Sequence, residues 1–179
     1  FMMYLHYQAV HAPYKPQVDT YLPLARRRFP NPITVARWRD SYEQQVAEGC
    51  VPGNPRFDDM VLRYDAQIAH VDNRIRELLD AMQESGVLNR TLFVVTADHG
   101  EEFFEHRYLE HTWTLYDEVL RVPLIFNAPK VLRPTRIEAR VELVDLMPTV
   151  LDLMEVTHGR RDFDGAPLFV RREDGFYFQ

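Results

Sequence analysis

The sequence is notable first for what it lacks. Cys50 is the only cysteine among the 179 residues, so no disulfide can form within the chain. No run of apolar residues approaches the length needed to span a bilayer. A net charge of −6 disfavours a nucleic-acid partner, because such proteins normally present a basic surface. The first residues have neither a charged segment nor a small-residue cleavage site, so they do not indicate a signal peptide.

The composition predicts a folded protein. Hydrophobic residues make up 46% of the chain and aromatic residues 12%, which is enough apolar material for one domain-sized core. The sequence contains no internal repeat and no low-complexity tract. We therefore expect one globular unit over residues 1–179.

A possible cation site follows the most apolar segment. Residues 91–96 are apolar or β-branched, which predicts a strand buried on both faces of a largely parallel sheet. Asp98 and His99 come directly after it, where α/β sheets bind ligands. A carboxylate oxygen and an imidazole nitrogen are suitable ligands for a divalent cation. Taken alone, the tripeptide Asp98-His99-Gly100 is more typical of an ordinary loop.

Periodicity predicts several other elements. Apolar residues recur at spacings of three and four between Phe57 and Ser85, which indicates an amphipathic helix. Asp145 is a suitable N-cap for a helix over Leu146 to Met154. A further helix is possible at residues 34–48. Strands are expected at residues 1–7, 121–126 and 137–143, and near the C-terminus.

Several ordered motifs together resemble one family. They are Thr96-Ala97-Asp98-His99-Gly100-Glu101-Glu102-Phe103, Glu105-His106, His111, Leu115-Tyr116-Asp117-Glu118 and Arg121-Val122-Pro123-Leu124-Ile125. Their order and spacing resemble those of the sulfatases of the alkaline-phosphatase-like superfamily. A His-x-Pro-Tyr-x-Pro signature at His11 and an Asp-x-x-Pro-Thr helix at Asp145 extend the resemblance to about Met154. The resemblance implies a three-layer α/β fold with a mostly parallel sheet and helices on both faces, of which this chain is the central to C-terminal part.

The resemblance also implies roles for individual residues. Asp98 and His99 are expected to supply half of a metal site, with Ca²⁺ as the first choice and Mn²⁺ or Zn²⁺ as alternatives. His111 matches the Lys or His that touches the ester oxygens and the leaving group. His11 matches a histidine that contacts the ester group. For both histidines, a surface loop position is the alternative. Glu101 is expected to orient His99 or to cap the following turn. His106 is expected to support the residues that contact the metal or substrate, or to order the loop.

The expected nucleophile is missing. In the family it is a formylglycine, formed within a Cys/Ser-x-Pro-Ser/Ala-x-Arg motif that precedes the His-x-Pro loop. Cys50 follows that loop, and Gly53 and Pro55 stand where Ser/Ala and Arg are required. Cys50 is therefore interpreted as an ordinary cysteine. We expect the nucleophile and the paired aspartates of the metal site to lie upstream, and this chain to be inactive alone.

Three functions follow as hypotheses. The first is metal-dependent hydrolysis of a small-molecule or glycan sulfate ester. The second, within the same superfamily, is hydrolysis of phosphonate or phosphate esters, or a phosphoethanolamine-type transfer. The third is a non-catalytic remnant of the fold. The organic part of the substrate, the oligomeric state and the cellular location are not indicated by the sequence.

Overall fold

The protein is described by a computed structural model, which covers residues 1–29, 51–111, 113–157, 163–172 and 175–178. The helix predicted at residues 34–48 and Cys50 lie outside these described residues. The chain divides into two compact units, one formed by Phe1–Asp80 and Glu101–Val119 and the other by Ala81–Gly100 and Leu120–Gln179. The assignment of residues 1–179 to one domain stays a prediction.

The described residues form helices and short strands. The helices are α1 (Val18–Arg28), α2 (Pro55–Glu84), α3 (Asp117–Leu120) and α4 (Leu146–Leu153). The strands are β1 (Phe93–Thr96), β2 (Glu102–Phe103), β3 (Leu109–Glu110), β4 (Leu124–Asn127), β5 (Phe169–Arg172) and β6 (Gly175–Phe178). Short 3₁₀ turns lie at Gln8–Val10, Leu88–Arg90 and Leu143–Asp145. Within this part of the chain, no helix has both the length and the apolar character needed to cross a membrane.

In the first unit, α1 packs on α2, and the predicted helix over residues 57–85 is confirmed. Their shared core contains Tyr21 and Leu62, together with two fully buried alanines. The Tyr21 hydroxyl donates a hydrogen bond to Asp59, whose other oxygen accepts one from Arg63 Nε at 2.7 Å. Burial raises the pKa of Asp59, and the bonds from Tyr21 and Arg63 act in the opposite direction. This buried polar group ties the two helices together.

A second core cluster connects the loop after His11 to α2 and to the β2–β3 hairpin. Tyr14, Phe57 and Met60 are buried in it. The rings of Tyr14 and Tyr64 meet edge to face, with centroids 5.5 Å apart, and Phe103 contacts both rings. Aromatic contacts of this kind add specific geometry to the burial of apolar area. They define the position of Tyr14.

The second unit contains the β1–β4 pair. Both predicted strands are confirmed with shorter bounds, and they pair antiparallel with Thr96 opposite Leu124. The side chains of β1 are half-buried or exposed, so the predicted burial on both faces is wrong. The reason is that β1 has β4 as its one strand partner among the described residues. The other two strand pairs described are also antiparallel.

The predicted helix after Asp145 is confirmed as α4, but the predicted side-chain cap is wrong. The Asp145 carboxylate instead accepts hydrogen bonds from the backbone N–H groups of Ala166 at 2.9 Å and Glu142 at 3.1 Å. Asp145 has a helical backbone conformation, which directs its side chain away from the first turn. The buried Thr149 hydroxyl donates to the Asp145 carbonyl at 2.6 Å and accepts from Leu168 N–H at 2.9 Å. The C-terminal loop is thereby fixed to the start of α4.

Two predicted strands are wrong. Residues 1–7 and 137–143 form no strand, and the side chains of residues 1–7 are exposed. An apolar or alternating pattern becomes a strand only where a neighbouring strand satisfies its backbone groups. Neither segment has a strand partner among the described residues.

Candidate active site

The loop that carries His111 is built around a buried carboxylate. Strands β2 and β3 pair over two residues each, and His111 follows β3 directly. Glu102 is fully buried at the start of the hairpin. One of its oxygens accepts from the backbone N–H groups of His106 at 2.9 Å and Tyr108 at 3.3 Å. Its other oxygen accepts from the Thr114 hydroxyl at 2.8 Å.

These bonds decide the charge state of Glu102. Burial alone would raise the pKa of its carboxyl, but the bonds from Thr114 and from the two N–H groups lower that pKa below its ordinary value. The carboxylate is therefore ionised at neutral pH. The sequence places Glu102 only within a motif, because nothing in a Glu-Glu pair indicates which of the two is buried.

The same loop contains strained backbone. Phe104, Arg107 and Glu110 have φ values of 72°, 74° and 70°. This left-handed region is unfavourable for residues other than glycine. Such conformations persist where the surroundings determine them, and they cluster at functional sites. The three positions lie in the seven residues that precede His111.

The second acid of the pair, Glu101, contacts His111. Glu101 Oε1 lies 2.8 Å from His111 Nδ1, and Glu101 Oε2 accepts a hydrogen bond from the Tyr14 hydroxyl at 2.7 Å. The side chain of Glu101 is 4% exposed and that of His111 is 22% exposed. A carboxylate accepts hydrogen bonds, so Nδ1 of His111 is the donor.

The structure brings the two predicted catalytic histidines together. The rings of His11 and His111 meet edge to face, with centroids 5.2 Å apart. Nδ1 of His11 lies 2.7 Å from the carbonyl oxygen of Ala12. Since a carbonyl only accepts, His11 donates from Nδ1, as His111 does. Two imidazoles from distant parts of the sequence therefore lie side by side in the first unit.

Asp98 and His99 belong to the second unit and follow β1, as predicted. The Asp98 side chain is 80% exposed and that of His99 is 35% exposed. Nδ1 of His99 lies 2.8 Å from the carbonyl of Gly100, which makes Nδ1 the donor. Nε2 of His99 lies 3.8 Å from Asp98 Oδ1, so the two expected ligand atoms are neighbours. The donor set therefore fits half of a cation site. In the described parts of the chain, no group of three or more His, Cys, Asp or Glu could hold a metal.

The ring of His106 contacts Tyr116 and Glu118. It stacks on Tyr116 with centroids 3.6 Å apart and an angle of 16° between the planes. Its Nδ1 lies 3.5 Å from Glu118 Oε2. The loop-ordering role of His106 stays a prediction.

A separate cavity of about 310 Å³ lies at the opposite end of β1 from Asp98. It is lined by residues 89–92, Ala128, Lys130, Val131 and residues 153–155. None of the four predicted site residues lines it.

The motifs around these residues match a known family. A sequence model of the family described as Sulfatase matches residues 1–156. The chain belongs to the sulfatase family. It is 29% identical over 133 residues to arylsulfatase K of Xenopus laevis, and the match covers 69% of this chain and 25% of the relative. It is also 29% identical over 150 residues to the N-acetylglucosamine-6-O-sulfatase of Bacteroides thetaiotaomicron, covering 79% and 26% of the two chains.

Solved structures support the predicted fold class. The phosphonate monoester hydrolase SpPMH from Silicibacter pomeroyi superimposes with a TM-score of 0.62 at 26% identity, over 88% of this sulfatase chain and 33% of that chain. BT4656 in complex with its substrate D-glucosamine-2-N,6-O-disulfate gives a TM-score of 0.59 at 29% identity. This match covers 79% of the present chain and 30% of BT4656. The prediction of a partial alkaline-phosphatase-like α/β fold is confirmed. The chain spans between a quarter and a third of the length of these relatives.

Proposed function

We propose that this chain supplies part of the active site of a metal-dependent sulfuric ester hydrolase. The observation that carries the proposal is the edge-to-face pair of His11 and His111, with His111 bonded to the buried Glu101. Two imidazoles side by side provide hydrogen-bond donors for an anionic ester when each carries a second proton, on Nε2. Membership of the sulfatase family favours sulfate as that anion.

In this proposal the two histidines act on the ester oxygens. Each ring has its Nδ1 engaged by an oxygen, so Nε2 is the nitrogen that meets the substrate. Protonated Nε2 of His111 donates to a non-bridging oxygen or passes a proton to the leaving oxygen. His11 contributes a second donor beside it. An imidazole is suited to both tasks near neutral pH.

Asp98 and His99 would hold the cation in this proposal. A divalent ion, Ca²⁺ first and Mn²⁺ or Zn²⁺ as alternatives, would supply charge stabilisation of the ester oxygens when bound. Asp98 offers an exposed carboxylate, and the Nδ1 bond of His99 to Gly100 presets its ring. The remaining ligands and a formylglycine nucleophile would come from sequence outside these 179 residues.

We propose a glycan or small aryl sulfate as the substrate. The N-acetylglucosamine-6-O-sulfatase relative and the structural relative bound to a disulfated glucosamine favour a sulfated sugar. A second candidate is phosphonate ester hydrolysis, which the match to the phosphonate monoester hydrolase favours. A non-catalytic remnant of the fold is the third alternative.

The test is hydrolysis by the full-length protein. We expect it to cleave an aryl sulfate, and His111→Ala and His11→Ala each to lower kcat by about 10²- to 10⁴-fold, the usual contribution of a positioned proton donor or acceptor. His6→Ala is the matched control, since His6 is exposed and outside the site.

The results separate the three candidates. An aryl phosphonate cleaved in preference to the sulfate would make the second candidate correct. Cleavage of neither ester would leave a non-catalytic protein. Full activity of both histidine variants would show that the site lies elsewhere.

A further inference from the structure

We infer that Glu101 is a positioning residue that holds the His111 imidazole in one orientation, and that Tyr14 holds Glu101 in turn. The inference rests on the proposed function, because His111 belongs to the same site. The sequence predicts for Glu101 only a contact with His99 or a capped turn.

The two oxygens of Glu101 have separate partners. Oε1 lies 2.8 Å from Nδ1 of His111, and Oε2 accepts the Tyr14 hydroxyl at 2.7 Å. Tyr14 and His111 come from different segments, so the carboxylate bridges the two loops that carry the paired histidines. A hydrogen bond to an ionised acceptor is stronger than one between neutral groups and is more sensitive to geometry.

The hydrophobic core fixes Tyr14, which is one partner of the Glu101 carboxylate. Tyr14 is 5% exposed, and its ring packs against Tyr64 and Phe103 with centroid distances of 5.5 and 5.9 Å. Its hydroxyl therefore has a defined position. The main chain of Glu101 is fixed as well, because its N–H donates to the Glu118 carbonyl at 3.0 Å.

The position of the bridge indicates a role in orientation. Burying a carboxylate is unfavourable unless its oxygens are hydrogen-bonded, and here both bonds go to side chains. One of them belongs to the ring that lies edge-on to His11. With Nδ1 donating to Glu101, the nitrogen that faces away from the carboxylate is Nε2. The bridge therefore selects which nitrogen of His111 meets the ester.

Kinetics of the full-length protein with an aryl sulfate test this role. Glu101→Leu removes both acceptors, and we expect kcat to fall by about 10- to 100-fold with little change in KM. Glu101→Gln keeps one amide oxygen for Nδ1 and should recover part of the loss. Tyr14→Phe should lower kcat by about fivefold, the loss of one typical hydrogen bond. Glu84→Gln, a change of the same kind at an exposed acid at the end of α2, should leave kcat unchanged.

A double-mutant cycle separates positioning from a general structural effect. If Glu101 acts through His111, then adding Glu101→Leu to His111→Ala should cause no further fall in kcat. Additive losses, or a wild-type kcat in both Glu101 variants, would overturn the inference.

A spectroscopic measurement makes the inference independent of turnover. In protein labelled with ¹⁵N-histidine, the ring nitrogen shifts of His111 should show hydrogen on Nδ1 in the wild type and in Glu101→Gln, and a mixture of tautomers in Glu101→Leu. An unchanged Nδ1–H signal in Glu101→Leu would overturn the positioning role. If the wild type cleaves neither ester, the proposed function fails, and this spectrum still decides the role of Glu101. If Glu101→Leu does not fold, the kinetics of Glu101→Gln and Tyr14→Phe decide it.

Discussion

Glu101 and Glu102 are neighbours in the sequence, and their carboxylates serve different parts of one loop. Glu102 accepts from two backbone N–H groups and a hydroxyl, so it determines the path of the chain. Glu101 accepts from the side chains of Tyr14 and His111, so it determines the direction of a ring. The strained backbone lies between these two acids and His111. Glu102 stabilises it through backbone hydrogen bonds, and Glu101 contacts the ring of His111 that follows it.

The loss of folding stability at low pH should depend on Glu102. Its pKa in the folded protein is lower than the ordinary value of 4.5, so the unfolded chain binds more protons between these two values. Its contribution to stability is therefore complete above about pH 4.5 and is lost as the pH falls through the lower, folded pKa. Glu102→Gln should flatten this dependence. It should also cost about 1–3 kcal/mol at neutral pH, because the amide cannot accept at both ends.

Urea unfolding at several pH values between about 3 and 7 would measure both effects. Glu84→Gln, an exposed change at the end of α2, is the control and should follow the wild type. If the free energy of unfolding depends on pH in the same way in the wild type and in Glu102→Gln, then the Glu102 carboxylate does not stabilise the loop.

The attachment of the C-terminal loop to α4 depends on one close approach. A Cβ added to Gly165 would lie 2.3 Å from the Val144 carbonyl oxygen and 2.8 Å from the Asp145 nitrogen. Both are backbone atoms, so they cannot rotate away as a flexible side chain could. The loop would have to move, and the bond from Leu168 N–H to Thr149 would be lost with it.

We therefore expect Gly165→Ala to cost about 1–3 kcal/mol through overpacking and to increase hydrogen exchange at the Leu168 amide. Gly86→Ala is the matched control. Its added Cβ meets nothing within 4 Å, but its φ is 69°, so it should cost about 1–2 kcal/mol through backbone strain alone. The control should leave Leu168 protected. Equal protection of Leu168 in both variants would show that the close approach to Val144 does not hold the loop.

The proposed cation site needs more of the protein than the described residues supply. Asp98 and His99 would provide two ligands, and a catalytic site usually needs at least three from the protein. We expect the full-length protein to retain a divalent cation after dialysis, and Asp98→Ala and His99→Ala to lose it, as measured by elemental analysis. Asp72→Ala, an exposed change on α2, should retain the metal.

The isolated 179 residues provide the complementary measurement. They should bind the cation more weakly than the full-length protein and should not hydrolyse an aryl sulfate. Hydrolysis by this chain alone would contradict the proposal that the nucleophile lies outside it. Unchanged metal content in both the Asp98 and His99 variants would remove them as ligands.

Local patterns were sufficient for some elements and insufficient for others. The 3.6-residue periodicity predicted α2, because one helix face is defined by nearby residues. The apolar runs of β1 and β4 were also predictable, and these two strands pair with each other. The patterns at residues 1–7 and 137–143 were equally strand-like, yet they form none, since a strand depends on a partner that its own sequence does not specify.

The sequence by itself determined the family and the residue types of the candidate site, because metal ligands and proton donors are recognisable by their chemistry and spacing. Only the tertiary structure decided how those residues are arranged. It brought His11 beside His111 and placed the Glu101 carboxylate in hydrogen-bonding contact with His111 and Tyr14. It buried Glu102 and directed Asp145 to Ala166 instead of the first turn of α4. These contacts join groups that only folding brings together, so packing and not local pattern determines the partners.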